Sequence, residues 1–228
     1  MDSSKIAAVL FDLDGTLVHS APDMVAAANW LRAQGGLEPV DEPWLSQYVS
    51  KGGAGVVGAA FPDASAVEQA ELLGRFLARY GENLSEKSGL FPGVADLLAR
   101  IESRNWPWGV VTNKASIYAE PLMDSLGLRV RCAALICGDT LPTRKPAPDG
   151  LLEACRRMGV APESCVYVGD DQRDIQAARA AGCAAVAAAY GYFTPDDHPV
   201  TWGADAVIQE AHELPALLGL ALPFGESV

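Results

Sequence analysis

The chain has no excess of positive charge, few aromatic residues and no apolar run that approaches membrane-spanning length. Its 228 residues carry 17 lysines and arginines against 29 aspartates and glutamates, a formal net charge of −12. This balance argues against binding to nucleic acid or to an anionic membrane surface, because both would repel the chain. Apolar residues make up 50% of the sequence, so a sizeable core can be buried.

Paired cysteine motifs are also missing. No two cysteines form a C-x-x-C pair, and no histidine lies beside them at a metal-ligand spacing. Most of them lie in apolar segments, which predicts small buried side chains and a reducing cytoplasm as the compartment. The N-terminal apolar stretch is interrupted by Asp12 and Asp14, so no signal peptide is expected. The five cysteines are Cys132, Cys137, Cys155, Cys165 and Cys183.

The most informative segment is Val-Leu-Phe-Asp-Leu-Asp-Gly-Thr at residues 9–16. Its apolar run predicts a buried parallel strand, and open α/β sheets bind ligands beyond the carboxyl ends of such strands. Alternate residues of an extended chain share a side, so Asp12 and Asp14 can face one pocket. Since adjacent carboxylates repel each other, that pocket needs a cation or a shared proton. Taken alone, the motif also fits a solvated acidic turn after an edge strand.

The remaining pattern predicts an α/β protein, a doubly wound (Rossmann-like) parallel sheet core with an inserted all-helical cap. Strand-like runs alternate with helical segments in the second part of the chain. They lie at residues 107–112, 132–137, 164–169, 184–189 and 205–208. The predicted core domain comprises residues 1–17 and 88–228, and the predicted cap comprises residues 18–87.

Within the predicted cap the sequence favours helices alone. Ser20 is expected to cap a helix that runs through Gln34, with Asp23 in its first turn. Further helical segments are expected at residues 42–50, 55–61 and 65–80, and Gly52, Gly53 and Gly55 are expected to interrupt them.

A second acidic strand end occurs at Ser164-Cys-Val-Tyr-Val-Gly-Asp-Asp171. Mg²⁺ takes one or two carboxylates together with water and phosphate oxygens. Asp12 and Asp170 are the expected carboxylate ligands, with the backbone carbonyl of Asp14 close by. Asp174 is expected to support this site from behind the ligands. Asp171 either supports it in the same way or stabilises the N-terminus of the next helix.

Polar and basic groups follow the other predicted strands. Thr112 and Asn113 lie where a helix begins, so they fit either phosphate binding or ordinary capping of that helix. Lys145 precedes a proline in an extended loop, and its compact charge suits a phosphate oxygen. Lys51, in a glycine-rich segment of the predicted cap, could reach the far end of a substrate or simply be solvated.

Four segments together resemble the motifs of the haloacid dehalogenase-type phosphohydrolases, namely FDLDGT, VVTN, RKPAPD and GDDQRD. The resemblance spans the whole chain, and within the superfamily it is to the phosphoglycolate phosphatase group. Finer features are similar to the bacterial N-acetylmuramic acid 6-phosphate phosphatases: WGVVTNK, AEPLM, GDDQRDI and YGYFTPDDHPVTWGAD. His19 departs from the pattern, since the family often has aspartate there.

The resemblance implies a role for each matching residue. Asp12 would be the nucleophile that forms an aspartyl-phosphate, and Asp14 would protonate the leaving alcohol and then activate water. Thr112 and Lys145 would bind the transferring phosphoryl group, and Asp170 would ligate Mg²⁺.

The expected protein is a cytoplasmic, Mg²⁺-dependent phosphomonoesterase, a monomer or homodimer, that acts on a small phosphorylated metabolite. The expected substrate is 2-phosphoglycolate or N-acetylmuramic acid 6-phosphate. One alternative is a phosphosugar mutase, which returns the phosphoryl group to its substrate. Another is a non-catalytic regulatory binding protein, which would have no need for Asp12, Asp14 and Lys145.

Overall fold

The structure is a computed structural model that describes residues 3–220. The strands are β1 (Ala8–Phe11), β2 (Val18–His19), β3 (Gly89–Leu90), β4 (Trp108–Val111), β5 (Ala134–Ile136), β6 (Cys165–Gly169), β7 (Ala184–Ala188) and β8 (Ala206–Ile208). The helices are α1 (Ala21–Gln34), α2 (Glu42–Ser46), α3 (Gly52–Ala60), α4 (Ala66–Glu82), α5 (Val94–Ser103), α6 (Ser116–Ser125), α7 (Asp149–Met158), α8 (Gln172–Ala181) and α9 (Leu214–Leu217). Among these residues, no helix is both long enough and apolar enough to cross a membrane.

Six of the strands form one parallel sheet in the order β5-β4-β1-β6-β7-β8. Strand β1 lies in its middle, where Val9 pairs with Trp108 on one side and with Val166 on the other. The strand order reverses at this point, and such reversals open the crevice in which doubly wound folds bind ligands. The parallel α/β fold predicted from the sequence is confirmed.

Alternate residues of β1 belong to different apolar layers. Val9 and Phe11 pack in a cluster that includes Leu98 of α5. Leu10 packs in a second cluster with Leu151 of α7. Because β1 is apolar in every position and buried on both faces, its backbone is held rigidly and fixes where the chain leaves the sheet.

Helices α1 to α4 share an apolar cluster of their own, which includes Leu31, Val57 and Phe76. Strand β2 pairs antiparallel with β3, at the point where the chain enters and leaves these helices. The sequence predicted no strand in this stretch, because two residues are too few to show an alternating pattern.

Two further expectations for this region were wrong, the first of them in part. Gly53 and Gly55 do not interrupt a helix but lie inside α3, whereas Gly52, with a φ of +73°, begins α3 and separates it from the turn at Val49–Lys51. At Gly53 a Cβ atom would lie 3.1 Å from the Phe76 ring, so the small residues allow α3 to pack closely on α4.

The side chain of Ser20 makes no capping hydrogen bond, contrary to the expectation that it would cap α1. Asp23, in the first turn of that helix, is buried and accepts hydrogen bonds from the backbone of Lys87 and Ser88. Asp23 therefore links the two crossings of the chain between the helices and the sheet, namely the segment that enters α1 and the segment that returns from α4.

A pair of adjacent leucines in α7 tests the packing of this fold. Leu151 is fully buried against the sheet, whereas Leu152 is 42% exposed. We expect L151A to lower the free energy of unfolding by about 2–5 kcal/mol, since it leaves a cavity in a packed layer. The matched variant L152A should cost less than about 1 kcal/mol. Chemical denaturation monitored by circular dichroism measures both, and equal losses would contradict the packing described.

Candidate active site

The candidate site lies beyond the carboxyl ends of β1, β4 and β6. Asp12 follows β1 directly, and its backbone N–H donates to the carbonyl of Val168 at 2.9 Å. Asp170 follows the neighbouring strand β6, and Asp174 lies in the first turn of α8. The three side chains are buried, and each offers an oxygen within 4.8 Å of the others. Adjacent parallel strands thus bring together carboxylates that are far apart in the sequence.

Two glycines make this crowding possible. Gly15 has a φ of +84°, and a Cβ atom there would lie 1.9 Å from Asp170 Oδ2. At Gly169 a Cβ atom would lie 2.3 Å from Asp174 Oδ2. A side chain at either position would displace a carboxylate, so the glycines are required by close approach.

The carboxylate cluster is short of positive charge. Burial, followed by the charges of Asp12 and Asp174, raises the pKa of Asp170 well above its usual range. Asp12 Oδ1 lies 2.9 Å from the Lys145 ammonium, and it has no hydrogen-bond donor among the described residues. A buried carboxylate oxygen without a donor is costly, and a hard divalent cation is the ligand that oxygens of this kind prefer. The residues therefore fit a metal ion.

Asp174 is held by a buried cation and by a backbone N–H. Its Oδ1 lies 2.7 Å from Lys145 Nζ, and its Oδ2 accepts from the backbone N–H of Asp171 at 3.0 Å. Burial and the charge of Asp12 together outweigh Lys145 and raise the pKa of Asp174 to about 6. These bonds tie Asp174 to Lys145 and to the start of α8.

Lys145 is buried among acidic groups. Its ammonium contacts Asp12 and Asp174 and donates to the hydroxyl of Tyr167 at 2.8 Å. Burial alone would lower the pKa of Lys145, but the two carboxylates outweigh this effect and raise it, so the side chain is cationic.

Asn113 fixes the loop that carries Lys145. Its amide donates to the Lys145 carbonyl at 3.0 Å, and its Oδ1 accepts from the Lys145 N–H at 3.0 Å. Thr112 is buried beside it, and its hydroxyl accepts from the backbone N–H of Lys114 at 3.1 Å. Both residues line the cavity above the carboxylates.

Asp14 is held by two groups that sequence reasoning did not connect with it. Ser20 Oγ donates to Asp14 Oδ1 at 2.5 Å, which explains why this serine does not cap α1. Lys114 Nζ lies 3.0 Å from Oδ1 and 3.2 Å from Oδ2 of the same carboxylate. The available signal for Lys114 was its place directly after the Thr-Asn pair at the end of β4.

Two residues between α2 and α3, in the helical region, also contact the site. Ser50 donates to Asp170 Oδ2 at 2.6 Å. Lys51 lines the cavity, and its ammonium lies 2.9 Å from Asp171 and 2.9 Å from Asp197. Ser50 and Lys51 thus bridge the helices to the sheet.

Asp171 fulfils one of its two sequence interpretations, stabilisation of the N-terminus of α8, and its support of a metal site stays a prediction. It accepts from the backbone N–H of Arg173 and so caps α8, and it also binds the side chains of Lys51 and Arg173. Burial would raise the pKa of Asp171, but the bonds from Arg173 and Lys51 lower it to about 2.

His19 is the second residue of β2, does not line the cavity, and contacts the segment after β7. Its Nδ1 is 2.6 Å from the hydroxyl of Tyr192, and its ring packs on Phe91. The residue that departs from the family pattern therefore contacts the crossing between the helices and the sheet.

The cavity has a volume of about 570 Å³ and two unlike sides. Its floor is polar and carries Asp12, Asp14, Thr112, Lys114 and Lys145. The opposite wall is largely apolar and is supplied by Met24, Val49, Leu73, Phe76, Leu77 and Tyr80. Such a chamber can hold a molecule with an anionic end and a larger, partly apolar remainder.

Comparison with known proteins agrees with this geometry. The model of the haloacid dehalogenase-like hydrolase family matches residues 6–182. A phosphoglycolate phosphatase of Xanthomonas campestris pv. campestris (strain 8004) is 47% identical over 207 residues, which cover 91% of this chain and 94% of that protein. An N-acetylmuramic acid 6-phosphate phosphatase of Pseudomonas aeruginosa (strain PAO1) is 43% identical over 225 residues, which cover 97% and 99%.

A solved structure shows the same architecture. The crystal structure described as a predicted phosphoglycolate phosphatase from Haemophilus somnus 129PT superposes with a TM-score of 0.82 at 28% identity, and the match covers 93% of this chain and 98% of that one. The family model, the relatives and the shared fold agree. The chain belongs to the haloacid dehalogenase-like hydrolase family.

Proposed function

We propose that this protein is a Mg²⁺-dependent phosphatase that hydrolyses a small phosphate monoester through an aspartyl-phosphate on Asp12. The observation that carries the proposal is that Asp12 and Lys145 line one cavity and contact each other there, with the buried carboxylate of Asp170 clustered beside Asp12. Two carboxylates beside a buried ammonium fit both a divalent cation and a phosphate dianion. A regulatory binding protein would have no use for this arrangement.

The chain's own groups have distinct tasks in the proposed reaction. Asp12 attacks phosphorus while the bond from phosphorus to the leaving oxygen breaks, and Asp14 donates a proton to that oxygen. Asp14 then takes a proton from the water that attacks the aspartyl-phosphate, which releases inorganic phosphate and restores Asp12. Lys145 and Thr112 hold the phosphoryl oxygens. Mg²⁺, held by Asp12, Asp170 and the Asp14 carbonyl, would supply positive charge to the transferring group.

Supporting residues keep these groups in place. Asp174 and Asn113 fix Lys145 through its ammonium and its backbone, respectively. Asp171 binds Lys51 and so helps to close the cavity, which excludes bulk water. We assign Lys51 to this closure and to contact with the far end of the substrate, since it also lines the cavity.

The cavity favours a sugar-sized substrate over the smallest candidate. A volume of about 570 Å³ is within the usual range for complete ligand pockets, about 300–1,000 Å³. In 2-phosphoglycolate a single carboxymethyl group follows the phosphate and would leave the apolar wall uncovered. N-acetylmuramic acid 6-phosphate carries a ring and an acetyl group that can cover it. Relatives named for each substrate are similarly close.

The cellular setting is proposed from the chemistry of the chain. All five cysteines are free and four of them are buried, which suits the reducing cytoplasm. The protein would act there on a small phosphorylated metabolite, as a monomer or a homodimer.

The nucleophile is tested by D12N. The amide cannot form an aspartyl-phosphate, so we expect phosphate release to fall by at least about 10³-fold while the melting temperature is retained. The control is D124N, which changes an exposed aspartate of α6 and should keep normal turnover. Turnover by D12N near that of the control would remove Asp12 from its role.

The metal is tested by chelation. Treatment with EDTA is expected to abolish phosphate release, and added Mg²⁺ should restore it. In D170N the Mg²⁺ concentration for half-maximal activity should rise at least about tenfold, because a ligand is lost. Full activity of the chelated protein, once elemental analysis has shown that no metal remains bound, would rule the metal out.

The substrate is tested by measuring phosphate release over a panel that contains both candidates. We expect kcat/KM for N-acetylmuramic acid 6-phosphate to exceed that for 2-phosphoglycolate by at least about tenfold, as burial of one or two more apolar groups would give. Recovery of free phosphate in equal amount to the alcohol distinguishes hydrolysis from a mutase reaction. A preference for 2-phosphoglycolate would contradict the argument from cavity size.

A further inference from the structure

Lys114 is a buried cation at the site to which the proposed reaction gives no task. It follows Asn113 at the end of β4, and its side chain is only 8% exposed. Its ammonium lies 3.0 and 3.2 Å from the two oxygens of Asp14 and 2.8 Å from the hydroxyl of Tyr80. Burial lowers the pKa of Lys114, but Asp14 and Tyr80 outweigh it and raise it, so the group is an ammonium ion.

The bonds to Asp14 are unequal, and the inequality gives its carboxyl group an orientation. Oδ1 accepts from Ser20 at 2.5 Å and from Lys114 at 3.0 Å. Oδ2 accepts only from Lys114, at 3.2 Å, among the described residues. Oδ1 is therefore the anchored oxygen, and Oδ2 has room for the proton that a leaving alcohol needs.

Tyr80 links this arrangement to the helices above the cavity. It belongs to α4, is 2% exposed, and its ring centroid lies 4.7 Å from the Lys114 ammonium. Its hydroxyl supplies an acceptor that the sheet alone does not offer to Lys114. The Lys114 ammonium thus has both of its partners, Asp14 and Tyr80, only when α4 lies over the site.

We propose that Lys114 is a positioning residue for Asp14, and that Tyr80 couples this positioning to closure of the helical region over the substrate. The inference rests on the acid–base role proposed above for Asp14. In the step concerned, the proton moves from Asp14 Oδ2 to the leaving oxygen as its bond to phosphorus breaks, and Lys114 keeps its own protons throughout.

The test compares esters whose leaving groups differ in their need for a proton. An alkyl or sugar phosphate releases a strongly basic alkoxide and depends on the acid, whereas p-nitrophenyl phosphate releases a stable phenolate and hardly does. In K114M we expect kcat to fall about 100-fold for the sugar phosphate but less than about fivefold for p-nitrophenyl phosphate, since general acid catalysis contributes roughly 10²–10⁴-fold. A merely structural role would lower both equally.

Two further variants complete the experiment. Y80F keeps the ring and removes one acceptor, so it should show the same pattern at about tenfold, and it carries the test alone if K114M does not fold. R104M changes an exposed arginine that does not line the cavity and should leave both activities unchanged. Equal losses on the two esters, or no loss on the sugar phosphate, would overturn the inference.

The outcome separates this inference from the proposed function. D14N should show the same dependence on the leaving group if Asp14 is the acid. If D14N shows that dependence and K114M does not, Lys114 has no positioning role although the proposed function stands. If D12N retains activity or D14N affects both esters alike, the proposed mechanism itself is wrong.

Discussion

The rest of the structure depends on the balance between buried carboxylates and buried ammonium groups at one edge of the sheet. Lys145 contacts Asp12 and Asp174, and Lys114 contacts Asp14. Asp170 has no cation within ion-pair distance among the described residues; hydroxyl groups and one backbone N–H are its donors. Counted as ionised, four carboxylates against two lysines leave two negative charges, as many as one divalent cation would neutralise. Buried charges are costly unless paired, so this balance fits a divalent cation.

The same balance explains why the site draws on two parts of the molecule. The sheet presents the carboxylates at strand ends, but Ser50 and Tyr80, which complete the bonding of Asp170 and Lys114, come from the helical region. The helices also supply the apolar wall of the cavity. The charged groups and the apolar wall are therefore separated in space: the strand ends supply the carboxylates and lysines, and the helices supply most of the apolar surface.

Much of the fold and part of the site could be predicted because strand ends are visible in sequence. Apolar runs marked the parallel strands, and the acids that follow β1 and β6 could be placed at one edge by the geometry of a parallel sheet. Lys114 was missed because its partner Asp14 lies 100 residues away, and Ser20 because its hydroxyl bonds a side chain six residues earlier instead of the helix backbone. A lysine after a strand and a serine before a helix look like ordinary surface and capping residues. Direct phosphate or substrate contact by Thr112, Asn113 and Lys51 stays a prediction.

The contact between Asp23 and the segment 87–88 affects how the helical region is attached to the sheet. One carboxylate ties the entering helix to the returning chain, and the pairing of Val18 with Leu90 joins the same two crossings again. The segment that enters the helical region and the segment that leaves it are thus fastened to each other at two points, so they form one joint to the sheet and not two independent linkers.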